Sequence, residues 1–283
     1  MRAHLYDDRR CLLGEGPLWH PERQELFWVD IFGHKILSRA GETASDWRFD
    51  AMPSALGWID ADHLLVATQH ALIQLSLSTG AQEPVVSLEP NLPQNRSNDG
   101  RADPYGGFWI GTLKISEDAP EGSFYRYYKG ELRKLFGGIY VSNAACFSPD
   151  GLWAYFADTK TQIVQRVRLS EKDGWPVGDP EPWLDLTQDG LHPDGAVTAA
   201  DGTFWIAKWG VGRVAQYDLD GRLLRTIDIP AANSTCPAFG GPDLTTLFCT
   251  SAAKSDRAPL PDAGCVFFLE NMGPGQAEHR VIL

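Results

Sequence analysis

One pattern recurs six times along the 283-residue chain, a turn-prone stretch followed by a short run of aromatic and β-branched residues. The runs begin at Phe27, Leu64, Phe108, Ala154, Phe204 and Leu247. Their spacing of 37 to 50 residues is that of four-stranded propeller blades and is too long for leucine-rich or ankyrin repeats. The sequence therefore predicts an all-β fold, a six-bladed β-propeller with four-stranded blades around a central channel.

The turn residues support this interpretation. Asp150-Gly151 and Asp201-Gly202 precede two of the runs, and Asp and Gly tolerate the left-handed backbone of tight hairpins. Residues 163–169 and 213–219 alternate apolar and polar side chains, as half-buried strands do. No linker interrupts the chain, so we expect one domain over residues 1–283. The alternative, a large two-sheet sandwich, would not require six similar units.

Charge and cysteine content restrict the partners and the cell compartment. The formal net charge is −12, with 37 acidic and 25 basic residues, and nucleic acid or an anionic membrane would repel such a surface. Residues 1–10 contain no apolar signal-peptide core, and no apolar run approaches the roughly 18 residues of a membrane span. Five cysteines without a CxxC pair favour reduced thiols and disfavour a zinc-cysteine site. We expect a cytoplasmic protein.

Polar residues held between glycines and prolines lie shortly before several of the runs. Glu15 precedes the first run, residues 95–100 the third, Asn143 the fourth and Asp194 the fifth. In a ring of equivalent blades these positions should meet near the mouth of the channel. Converging carboxylates need a compensating charge, and carboxylate and amide oxygens suit hard divalent ions such as Ca²⁺, Mg²⁺ or Mn²⁺.

Five motifs follow one another along nearly the whole chain. They are GEGP at 14–17, NRSNDG at 95–100, SN at 142–143 with SPDG at 148–151, PDG at 193–195 and CPAFGGPD at 236–243. In this order they resemble the SMP-30/gluconolactonase/regucalcin-like (LRE) family. The resemblance implies a six-bladed propeller that includes sugar lactonases among its members. It also implies one divalent ion (Ca²⁺, Mg²⁺, Mn²⁺ or Zn²⁺) held by Glu15, Asn143 and Asp194, with Arg96 and Asn98 contacting substrate oxygens.

These residues together predict a metal-dependent hydrolase whose partner is a small sugar lactone, opened to the aldonic acid. A cation held at the site would polarise the lactone carbonyl and lower the pKa of an attacking water. Asp194 would serve as ligand and as proton acceptor. Two other functions stay open, a non-catalytic calcium-binding or interaction propeller, and an esterase or phosphotriesterase for apolar substrates.

The chain departs from the family pattern at three places. Ala144 stands where the family has glycine after the metal-binding Asn, and residues 111–116 lack the acidic residues of animal members. Lys208 stands where relatives tend to have a neutral residue. Because Lys208 and Lys114 end corresponding strand runs, we expect both to bind substrate at the mouth and to favour an anionic lactone; ion pairs with nearby acidic residues are the alternative.

The site residues also have purely structural interpretations. Glu15, Asn143 and Asp194 could cap or form turns, and Arg96 could be a structural ion-pair partner. His192 could be a general base, although a histidine in a loop more often faces solvent.

Overall fold

Six four-stranded antiparallel sheets make up the fold, and each is one blade of a β-propeller. The computed structural model describes residues 1–254 and 260–283, and no helix occurs within them. The first blade contains β2 (Gly14–His20), β3 (Glu25–Asp30), β4 (Lys35–Ala40) and β5 (Thr43–Arg48). The second contains β6 (Pro53–Trp58), β7 (His63–Thr68), β8 (Ala71–Ser76) and β9 (Gln82–Ser87). The third contains β10 (Asn95–Ala102), β11 (Phe108–Lys114), β12 (Gly122–Tyr128) and β13 (Glu131–Ile139).

The remaining blades repeat this order from the centre outward. The fourth contains β14 (Ser142–Phe147), β15 (Trp153–Asp158), β16 (Ile163–Leu169) and β17 (Pro176–Asp185). The fifth contains β18 (His192–Thr198), β19 (Phe204–Trp209), β20 (Arg213–Tyr217) and β21 (Leu223–Asp228). The sixth contains β22 (Ser234–Gly240), β23 (Thr246–Ser251), β24 (Val266–Leu269) and the amino-terminal strand β1 (His4–Asp7). The predicted six-bladed fold is confirmed, and the six sequence runs lie in the second strands of the blades.

The ring closes where the two ends of the chain share a blade. Each innermost strand packs against the innermost strand of the next blade, and β22 packs against β2. In the sixth blade β1 supplies the outermost strand, with His4 opposite Phe268 and Leu5 opposite Phe267. Joining the first and last segments in one sheet ties the ring together by backbone hydrogen bonds and covers the exposed edge of β24.

The apolar core is divided into six layers, one between each pair of neighbouring blades. The aromatic side chains of the second strands fill these layers, and Trp28, Trp109 and Trp205 are fully buried. The sequence runs are rich in aromatic and β-branched residues because both faces of the second strand pack against apolar neighbours. Among the described residues, we find no helix long and apolar enough to cross a membrane.

Every innermost strand carries a bulge near its start. In the first blade Glu15 lies opposite Val29 and Leu18 lies opposite Phe27, so the inner strand has one extra residue. The same irregularity occurs in the other five innermost strands. A bulge re-aims the side chains beside it, and here it turns them toward the centre of the ring.

The opposite ends of the innermost strands are covered by the carboxyl-terminal segment. Arg280 forms a bridge with Trp58 at the end of β6, and Gly275 forms one with Ala199 beyond the end of β18. Glu278 pairs with Arg101 near the end of β10. The bulged ends of the strands therefore form the mouth of the channel that remains uncovered by this segment.

Candidate active site

A cavity of about 300 Å³ lies at the bulged ends of the innermost strands. Six polar residues singled out in the sequence line it: Glu15, Arg96, Asn98, Asn143, His192 and Asp194. Glu117, Thr159, Lys160 and Trp209 also contribute to its wall. A volume of this size suits a small molecule, and these carboxylate, amide and guanidinium groups suit a polyhydroxylated one.

The bulges explain how residues from different blades reach one point. Glu15 and Asn143 are the last paired residues before the bulge in β2 and β14. Asn98 and Asp194 are the first bulged residues in β10 and β18. Ala144 has φ of 60°, so alanine adopts here the left-handed conformation in which glycine is common. The departure from the family's glycine therefore leaves the backbone geometry beside Asn143 intact.

Two buried carboxyl groups face each other at the floor of the cavity. Glu15 is 6% and Asp194 is 4% exposed, and both side chains line the same cavity. Burial and the neighbouring Asp99 raise the pKa of Glu15 to about 8. Burial and the charge of Glu15 raise the pKa of Asp194 well above its usual value. The pair is costly to ionise without a nearby positive charge.

Asn143 supplies a neutral oxygen beside this pair. Its Nδ2 donates to Thr159 Oγ1 at 2.7 Å, and that hydroxyl donates to the carbonyl of Pro193 at 2.8 Å. This chain fixes the amide, whose Oδ1 accepts a hydrogen bond from Asn98 Nδ2 at 3.3 Å and retains a second lone pair. Within residues 1–254 and 260–283 no three His, Cys, Asp or Glu side chains form a metal-binding group. Two carboxylates and one amide oxygen nevertheless form a donor set that suits a hard divalent cation.

Arg96 and Asn98 form one hydrogen-bonded unit on the wall. Arg96 Nη1 donates to Asn98 Oδ1 at 2.7 Å and to Ser97 O at 2.9 Å. Asn98 Nδ2 donates to Ser142 O at 2.7 Å. Burial lowers the pKa of Arg96 to about 10, which keeps the guanidinium charged at neutral pH. Among the described residues Nε and Nη2 of Arg96 have no hydrogen-bond acceptor, so these donors are free for a ligand.

Glu117, Thr159 and Lys160 were not identified from the sequence. Glu117 Oε2 lies 3.7 Å from Lys160 Nζ at the mouth, and both side chains are about half exposed. These residues follow strand ends in loops, outside any motif. The only sequence signal was their position just beyond β11 and β15. Trp209, the last residue of β19, also lines the cavity.

The structure does not bring Lys114 or Lys208 into this cavity, contrary to the sequence-based expectation. Lys114 Nζ is 2.8 Å from Glu121 and 3.0 Å from Asp118, so it holds its own loop together. Lys208 is 1% exposed and points between the fourth and fifth blades, where its Nζ lies 5.1 Å from the ring centre of Tyr217. The cause is strand alternation, because successive side chains of β19 point to opposite faces.

His192 lies at the mouth of the cavity and is exposed. Its Nδ1 is 3.4 Å from the carbonyl oxygen of Thr159. No acidic side chain of the described residues is hydrogen-bonded to the ring, so the structure provides no partner that would orient it as a base.

Comparison with known proteins gives a consistent result. Residues 13–253 match the family model described as SMP-30/gluconolactonase/LRE-like region. The chain is 33% identical to the 6-deoxy-6-sulfogluconolactonase of Pseudomonas putida, with 94% of each chain covered. It is 34% identical to the L-arabinolactonase of Azospirillum brasilense, covering 99% of this chain and 95% of that one. A crystal structure of the calcium-binding protein regucalcin from Agrobacterium tumefaciens superposes with a TM-score of 0.96 at 36% identity, covering 99% and 97% of the chains.

Proposed function

Because the chain belongs to the SMP-30/gluconolactonase/LRE-like family, we propose that it hydrolyses a sugar lactone to the aldonic acid with one divalent cation. The observation that carries the proposal is the meeting of Glu15, Asp194 and Asn143 on the floor of a polar cavity beside Arg96. Relatives that cover nearly the whole chain are named lactonases for different sugars.

Glu15, Asp194 and Asn143 would hold the cation. Their oxygen-only donor set favours Ca²⁺, Mg²⁺ or Mn²⁺ over Zn²⁺. When bound, the cation supplies a Lewis acid for the lactone carbonyl and a positive charge that keeps both carboxylates ionised. This positive charge would offset the burial and mutual repulsion that raise the pKa of both carboxyl groups.

The side chains on the wall would orient the substrate and move the proton. Arg96 would donate its free N–H groups to sugar oxygens, and Asn98 would hold the guanidinium in place through the 2.7 Å hydrogen bond. Asp194 would accept a proton from the attacking water. The same proton would pass to the ring oxygen as the acyl C–O bond breaks, so that one water is added across the ester.

An acid-release assay tests the proposal. Purified protein would be titrated at constant pH with aldonolactones, before and after treatment with a chelator and again after Ca²⁺, Mg²⁺ or Mn²⁺ is restored. We expect hydrolysis above the spontaneous rate, lost with the chelator and regained with metal. Hydrolysis that the chelator does not affect would reject the metal's role, and an unaccelerated reaction with every lactone would reject the enzyme.

A non-catalytic calcium-binding propeller is the second candidate. It is favoured by the similarity to a structure named as a calcium-binding regucalcin. The same assay separates the two, because tight Ca²⁺ binding without lactone turnover would identify this alternative. The carboxylate and amide side chains of the cavity favour a polyhydroxylated substrate over the apolar substrates of an esterase or phosphotriesterase.

A further inference from the structure

A second cavity, of about 510 Å³, lies at the outer side of the junction between the fourth and fifth blades. Its wall combines aliphatic side chains, among them Leu186, Leu191 and Leu223, with charged ones. It shares no lining residue with the cavity that holds Glu15 and Asp194. A concavity of this volume that combines aliphatic and polar side chains is typical of a small-molecule site.

Lys208 lines this cavity and carries a buried amine. The side chain is 1% exposed, and its Nζ is buried without a hydrogen-bond partner among the described residues. The nearest favourable contact is the ring of Tyr217, 5.1 Å away. A buried ammonium without an acceptor is costly. An anionic ligand group would remove that cost.

The mouth of the same cavity exposes apolar side chains. Leu223 and Val211 line the cavity and are 57% and 45% exposed. A ligand that pairs with Lys208 therefore meets hydrocarbon both inside the cavity and at its opening.

We propose that this cavity binds a monocarboxylate with an alkyl chain, its carboxylate at Lys208 Nζ and its chain against Leu186, Leu191 and Leu223. A single carboxylate matches a single buried amine, and the alkyl chain matches the aliphatic side chains of the wall and mouth. Such a ligand differs in chemistry from a sugar lactone, so the proposal does not depend on the proposed activity.

The other charged residues of the wall also affect how well the cavity binds a carboxylate. Arg213 adds a second cation, while Asp185 and Asp189 are anionic. Asp185 Oδ1 already accepts the backbone N–H of Thr187 at 2.9 Å. Asp189 is the acidic group whose charge acts on Lys208. A ligand carboxylate must compete with it, so Asp189→Asn should tighten binding.

Isothermal titration calorimetry with sodium octanoate at pH 6.5 tests the proposal, with 1-octanol as the uncharged probe of equal chain length. We expect saturable 1:1 binding of octanoate to the wild-type protein and at least tenfold weaker binding to Lys208→Met. Lys172→Met, which removes an exposed lysine from another loop, should bind octanoate as the wild type does.

A second variant guards against a folding defect in Lys208→Met. Leu223→Asp changes an exposed position at the mouth, leaves Lys208 in place and should also weaken octanoate binding at least tenfold. The proposal is overturned if the wild type does not bind octanoate saturably or if octanol binds as tightly as octanoate. It is also overturned if Lys208→Met folds and binds octanoate as the wild type does. If Lys208→Met does not fold, the same result for Leu223→Asp overturns the proposal.

Discussion

The buried amine of Lys208 should make the stability of this protein depend on pH in a way that one substitution abolishes. Burial lowers the pKa of Lys208 to about 7, against about 10.4 for an exposed lysine. Between these values the unfolded chain holds a proton that the folded chain has lost. Raising the pH through this window therefore stabilises the folded state, and below pH 7 the full cost of the buried charge is present.

The size of the effect follows from the same two values. The limiting slope is about 1.4 kcal/mol per pH unit, which gives a ceiling of about 5 kcal/mol over the whole window. Substitutions that leave a buried donor without a partner cost about 1–3 kcal/mol. Because methionine fills similar space beside Leu191 and Tyr217 without a charge, we expect Lys208→Met to be about 1–3 kcal/mol more stable than the wild type at pH 6.5.

Urea unfolding followed by tryptophan fluorescence measures this difference. Wild type, Lys208→Met and the exposed control Lys172→Met would be compared at pH 6.5, 8 and 9.5, without added carboxylates. The advantage of Lys208→Met should shrink steadily as the pH rises, while Lys172→Met should follow the wild type throughout. A Lys208→Met protein that is less stable at pH 6.5, or whose advantage is constant with pH, would refute the reasoning.

Four further predictions concern the active site and the covered end of the channel. Asp194→Ala should abolish lactone hydrolysis and weaken divalent-metal binding at least a hundredfold in calorimetry, since a charged ligand is lost; unchanged metal binding would contradict the ligand role. Asn98→Ala should lower kcat/KM by about a hundredfold. If bound metal, measured in parallel, is unchanged, the loss arises at the substrate; if bound metal falls equally, the loss arises at the metal. Lys160→Met should lower the preference for an anionic over a neutral lactone by only about two- to fivefold, because the side chain is half exposed; an unchanged ratio of kcat/KM values would exclude Lys160 from reading substrate charge. Glu278→Gln should destabilise the protein by about 3–5 kcal/mol in urea unfolding, because it leaves Arg101 buried and unpaired, and a loss below 1 kcal/mol would show that this pair does not hold the segment in place.

The blades could be predicted from the sequence because their signal is local and repeated. Each second strand is a compact run of aromatic and β-branched residues, and each run is preceded by turn chemistry. The closure of the ring could not be predicted in the same way. The strand from His4 to Asp7 is only four residues long and pairs with residues 266–268, so its partner lies at the other end of the chain.

The position of Lys208 was missed although a local signal existed. In β19 the residues Phe204, Ile206 and Lys208 alternate with Trp205 and Ala207, so Lys208 shares a face with two buried apolar residues. The expectation that Lys208 lies at the mouth followed from where the run ends and not from the face that each residue occupies. Alternation would have directed the lysine into the layer between blades and away from the mouth.

The ring also explains why the candidate metal-binding side chains come from only some of the blades. At the bulge of the second blade Ser54 donates to Ser97 at 2.7 Å, and at that of the sixth blade Thr235 donates to the carbonyl of Gly14 at 2.6 Å. These hydroxyls are satisfied by neighbouring blades and stabilise the ring. Glu15 and Asp194 stand at similar levels, but they have longer, acidic side chains that reach the centre and meet each other. The same β-bulge thus gives a structural contact between blades where its side chain carries a hydroxyl, and an acidic site at the centre where its side chain carries a carboxylate.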